Sequence, residues 1–221
     1  MKMHRLLKGI AAVLVTIGIG ATVLHQPATA HASSVFSKTD VKGPTGYFKS
    51  DKAGFAFRWA NVKVKSGTAR VIIMGDFKAP QVAVMLPTKN TITNNRTKFT
   101  ARFHTLSSAG KVGTKNYYLY LNKKSSTTYT AKLTNYRNGR AVSTKGTTYT
   151  FTRTTKNPAS TYATKFTKPT ITKVFTTAAN TEAKAQKTDI TDSDYQAALK
   201  KAANTYATKV AKQVVTAFDL K

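Results

Sequence analysis

The chain has 221 residues, 36 Lys and Arg against 8 Asp and Glu, a formal net charge of +28 and no cysteine. Disulfides, thiol nucleophiles and thiolate metal sites are therefore excluded, and a fold of this length must be held by its core. Between Lys52 and Thr181 the only carboxylate is Asp76, against 23 Lys and Arg, which points to a polyanionic partner and leaves few acids for catalysis.

Residues 1–32 read as an export signal. Lys2, Arg5 and Lys8 precede an uncharged apolar run from Gly9 to Leu24, and Pro27 leads into the small-residue sites Ala28-Thr29-Ala30 and Ala30-His31-Ala32. The apolar run is shorter than the ~20 residues that span a bilayer comfortably. Cleavage after Ala32 would leave 189 residues with 33 basic and 8 acidic side chains, since three basic residues leave with the signal.

Residues 33–153 read as a mainly β domain, an Ig-like antiparallel sandwich of seven or eight strands. Phe55, Phe57 and Trp59 alternate, as do Val62 and Val64, and after the turn at Lys65-Ser66-Gly67-Thr68 the alternation resumes at Ala69, Val71 and Ile73. Gln81 to Leu86 is a short strand stopped by Pro87, followed by a polar loop to Arg96. Lys98 to Leu106 and Asn116 to Lys123 alternate again, with Tyr117, Leu119 and Leu121 on one face and Tyr118 and Tyr120 on the other. Thr127 to Tyr136 and Ala141 to Arg153 flank Arg137-Asn138-Gly139-Arg140, a strong hairpin signal because Asn and Gly tolerate positive φ.

Residues 154–190 read as a basic Thr/Lys/Ala-rich linker, with room for an edge strand around Ile171 to Phe175. Residues 191–218 read as an amphipathic helix, with Thr191 as N-cap and Asp194 three residues on. Tyr195, Leu199, Ala202, Tyr206, Val210 and Val214 follow at helical spacing, opposite Lys200, Lys201, Lys209 and Lys212.

The composition argues against catalysis and calls for no cofactor. His104 is the one histidine beyond the signal, and the β region offers a single carboxylate where glycoside hydrolysis normally uses two. Asp189, Asp192 and Asp194 suit the start of a helix rather than a metal loop. What remains is a basic surface interleaved with aromatics: Lys98, Arg102, Lys123, Lys124, Lys132, Arg137, Arg140 and Lys145, with Tyr118, Tyr120 and Tyr136 among them. Many cations suit phosphate polymers, and tyrosines suit stacking. The expected partner is an anionic cell-wall polymer such as teichoic acid. An anionic membrane engaged by the last helix is a second reading, and a wall or polysaccharide hydrolase using Asp76 a third. Nucleic acid is a less natural target outside the cell.

The signal ending Ala30-His31-Ala32-Ser33-Ser34 and the Thr/Lys/Tyr/Ala-rich remainder resemble secreted cationic cell-surface proteins of lactic acid bacteria. The segment Leu133-Thr134-Asn135-Tyr136-Arg137-Asn138-Gly139-Arg140 is similar to a turn in their S-layer wall-binding repeats. This resemblance implies an extracellular location and non-covalent attachment to a Gram-positive wall, and it brings no catalytic residue.

Overall fold

The period-two segments become nine strands, all paired antiparallel. They are β1 (Tyr47–Ser50), β2 (Phe55–Val64), β3 (Gly67–Asp76), β4 (Gln81–Ile92), β5 (Lys98–Leu106), β6 (Tyr117–Lys123), β7 (Thr128–Tyr136), β8 (Gly139–Ser143) and β9 (Thr147–Thr154). The computed structural model describes residues 34–64, 67–107, 110–136 and 139–220. The residues expected to form an export signal and the turn residues Lys65, Ser66, Arg137 and Asn138 lie outside them.

The strand order is β6-β5-β4-β3-β2-β1-β9-β7-β8, and β6 pairs with β7 as well. Eight strands thus close into a barrel, with β8 added beside β7. This corrects the sandwich expectation. Alternation is the same in a sandwich and a barrel. Closure depends on pairings distant in sequence, β1 with β9 and β6 with β7, which alternation does not encode.

Inward residues from every strand fill the barrel. Phe48, Phe57, Trp59, Phe99, Tyr129 and Phe151 form an aromatic core, with Phe48 stacked on Phe57 at 5.0 Å and Trp59 edge-on to Phe99 at 5.4 Å. Such offset and edge-to-face contacts favour aromatic packing beyond burial alone. The segment before β1 covers one end of the barrel. There Phe36 N donates to Arg96 O, and Arg70 donates to the carbonyls of Lys42 and Gly43.

Two sequence expectations for the strands change. β4 runs on through Pro87 to Ile92, because Pro87 sits at a register shift between Pro87 and Lys89, where a missing N–H is tolerated. The run from Ala141 to Arg153 is two strands rather than one. β8 and β9 lie on opposite edges of β7, and residues 144–146 cross between them beside Leu133. Gly146 makes that crossing possible: its φ is +99°, and a Cβ there would collide with the Leu133 carbonyl oxygen.

The linker expectation is overturned most clearly. The chain is helical from α1 (Ala159–Tyr162) through a π turn (Ala163–Thr167) into α2 (Lys168–Ala185), and α3 (Ser193–Phe218) returns antiparallel to α2. Ile171, Phe175, Ala179 and Ala183 are the buried residues of α2, one every four positions. That stripe is helical, but two of its four members are alanines in a Thr- and Lys-rich background. The π turn lies just before Pro169, which has no N–H to donate to the carbonyl four residues back. α3 falls where the sequence places it. Its N-cap, however, is Asp192, whose carboxylate accepts from Tyr195 N at 2.7 Å, while Thr191 donates to Asp189.

One half of the helical hairpin packs on the outer face of β2, β3 and β4. Val210, Val214, Ala217 and Phe218 meet Ala56, Val71, Ile73 and Val82 there. Arg58 points outward from β2 and donates to the carbonyls of Phe218 and Leu220, placing a cation at the C-terminal end of α3. The other half, with Phe175, Ala179, Tyr195 and Leu199, packs only within the hairpin.

Candidate functional site: a cationic, tyrosine-bearing sheet face

The helices cover one side of the barrel, including the outer face of β4 from Val82 to Leu86, and leave open the outer face of β5, β6 and the end of β4 from Lys89 on. Alternation decides what stands on it. Phe99, Ala101 and Phe103 point inward from β5, so Lys98, Thr100, Arg102 and His104 point outward. On β6 the inward residues include Leu119 and Leu121, so Tyr118, Tyr120 and Asn122 point outward. Register brings these together: Arg102 lies opposite Tyr118, Thr100 opposite Tyr120, and Lys98 opposite Asn122. Asn122 continues the row to Thr130 on β7, and Thr130 to Thr150 on β9.

Two side chains on this face lie with their rings near-parallel. Tyr118 and Tyr120 have ring planes 22° apart and centroids 6.1 Å apart, and Tyr120 is 41% exposed. Arg102 is held in place by Thr88, whose hydroxyl accepts from Nε at 3.1 Å. His104 Nε2 pairs with Asn116 Oδ1 at 3.0 Å. Lys89, absent from the sequence-predicted set, stands opposite Arg102 on β4 and is exposed. It was hidden because Pro87 made its segment look like a loop.

The predicted set separates into three groups. Lys98, Arg102, Tyr118 and Tyr120 share the face just described. Lys124, Lys132 and Lys145 are exposed but stand apart, Lys124 after β6, Lys132 on β7 and Lys145 at the β8–β9 crossing. Lys123 and Arg140 are structural. Lys123 is buried, its ammonium donates to Val35 O at 2.8 Å, and it lies over the rings of Phe36 and Tyr129. Burial pushes its pKa down. Parity reveals this in the sequence, since Lys123 follows Leu119 and Leu121 on the inward side. Arg137 and the Tyr136 side chain lie outside the described residues.

Arg140 reaches across the end of the barrel to Asp76. Its Nη2 donates to Asp76 Oδ1 at 2.9 Å and its Nε to Oδ2 at 3.0 Å, and Arg140 also bonds the Ala53 carbonyl. Asp76 further accepts from the N–H groups of Lys78, Ala79 and Arg140, and is only 2% exposed. The sole acid of the acid-poor region is thus a fully bonded partner inside the fold.

The other carboxylates are placed away from the open face. Asp40 closes a capping box with Ser37, Asp51 accepts from the Tyr162 hydroxyl at 2.6 Å, and Asp219 accepts from Asn157. Glu182, Asp189, Asp192 and Asp194 stand at or beside the turn joining α2 and α3. The sequences of β4, β5, β6, β7 and β9 contain no carboxylate at all. Among the described residues only Lys49 and Arg140 are ion-paired, with Asp51 and Asp76. No helix among the described residues is long and apolar enough to cross a membrane.

No protein-family model, curated protein or solved structure matches the chain.

Proposed function

We propose that the protein is an exported, non-enzymatic, cell-surface protein that binds an anionic wall polymer, of the teichoic acid kind, through the outer face of β5, β6 and the end of β4. The observation that carries this reading is the segregation of charge. Lys89, Lys98 and Arg102 stand together on a sheet face without a carboxylate, and none of the three is ion-paired. Solubility requires net charge but not the removal of every acid from five strands. Cations without an internal counter-charge gain most from a polymer whose condensed counterions they displace into solvent.

The alternatives find less support. Asp76, the candidate acid of a hydrolase, is spent on Arg140 and backbone N–H groups. The apolar side of α3 is buried against α2 and the barrel, so the folded protein has none of it to offer a membrane. The test is retention on isolated Gram-positive walls before and after removal of teichoic acid at equal salt. Retention should fall sharply on the stripped walls; equal retention on both would contradict the proposal.

A further inference from the structure

Resting on that reading, we infer that the polymer is recognised by its sugars as well as its phosphates: Tyr118 and Tyr120 form a stacking platform for a pyranose ring, with Lys98 and Arg102 meeting the phosphates on either side. The ligand class is then a phosphate polymer that carries sugar rings, not a bare polyphosphate and not a nucleic acid.

Three observations converge. First, no cation covers these rings. Among the described residues cations lie over Tyr47, Tyr117, Tyr129 and Tyr162, yet none lies over Tyr118 or Tyr120. The cations nearest in register to the pair thus leave the two rings uncovered, although Arg102 is the cross-strand partner of Tyr118. Second, the spacing is wide. Lys98 and Arg102 are four residues apart on one face of β5, or about 13–14 Å at the usual strand rise. Thr100 and its partner Tyr120 lie between them. The gap leaves room for a sugar ring carried on the polymer to lie over Tyr120 between the two cations. Third, the surrounding polar groups are hydroxyls and amides. Thr91, Thr100, Asn122 and Thr130 both donate and accept, as sugar hydroxyls do.

A competing account is that the tyrosines only favour the strand, since aromatic residues suit exposed sheet positions. The experiment uses the full exported chain and the variant Tyr118→Thr/Tyr120→Thr, in which threonine keeps the β preference. Binding is measured by calorimetry to glycosylated poly(glycerol phosphate), to the same polymer stripped of sugar, and to a single-stranded oligothymidylate of matched charge. The wild type should prefer the glycosylated polymer by about tenfold, on the order of one stacking contact. The variant should lose that preference and bind the two polymers alike. Should the double variant fail to fold, Tyr120→Thr alone should show the same loss. Equal binding of both polymers by the wild type, a preference that survives in the variant, or tighter binding of the oligothymidylate would overturn the inference and leave the polymer-binding reading standing. If the wild type binds neither polymer, the reading itself fails, and the inference with it.

Discussion

Asp76 and Arg140 show how scarce acid is used. Each buried carboxylate of this chain faces a defined donor, and this pair joins the end of β3 to β8 across the barrel. Asp76→Asn leaves the Arg140 guanidinium without its counter-charge and should cost about 3–5 kcal/mol, read by urea unfolding. Tyr162 and Asp51 form a second such contact, and its pH dependence can be signed. Burial, and then the bond to Asp51, raise the Tyr162 phenol above its ordinary 10.0, while the Tyr162 hydroxyl holds Asp51 below its ordinary 3.8. A raised phenol contributes stability that is present below its unfolded value and lost as pH climbs through the folded one. A lowered carboxyl contributes above its unfolded value and loses that contribution as pH falls. The stability advantage of the wild type over Tyr162→Phe should therefore be greatest between about pH 4 and pH 10 and shrink on both sides. A difference that stays as large well below that range and well above it as within it, in denaturation curves at several pH values, would contradict the assigned bond.

Elements divide by how local their signal is. The strands β2, β3, β5, β6 and β7 and the helix α3 were legible in the sequence, because alternation and helical spacing are local and their apolar members are large. The α1–α2 helix was not, because Ala179 and Ala183 signal burial only when a second helix lies close enough to use their small size. The closed barrel was not, because β1 and β9 are joined by pairings such as Phe48 with Arg153 that no local pattern records. The face of β4 to β6 was half legible: parity orients Tyr118, Tyr120 and Arg102, but Lys89 joins them only through the irregularity after Pro87. Two substitutions test the elements themselves. Gly146→Ala should cost more than about 1 kcal/mol, because φ is positive and the added methyl meets the β7 backbone. Phe218→Ala should cost about 3–5 kcal/mol, since its ring is fully buried between α3, Tyr47 and Phe77. Both are read by thermal or urea unfolding, and a change within a few tenths of a kcal/mol at either would contradict the packing described.

The whole molecule is a cationic barrel with a helical hairpin on one flank. Asp40, Asp51, Asp76 and Asp219 are hydrogen-bonded and the other four acids gather near the hairpin turn, so the acid-poor stretch seen in the sequence becomes a surface with a preferred side. Exposed lysines also stand on α3, however, and a net charge this large attracts polyanions by itself. If the open sheet face is the binding site, position matters beyond total charge. The most direct test is a salt titration of binding to purified teichoic acid by two variants of equal charge. One carries Lys89→Gln, Lys98→Gln and Arg102→Gln on the open sheet face; the other carries Lys200→Gln, Lys201→Gln and Lys209→Gln on α3. The account predicts that the sheet variant binds far more weakly, with a shallower dependence on salt, while the helix variant stays near the wild type. Equal loss in both variants would contradict it.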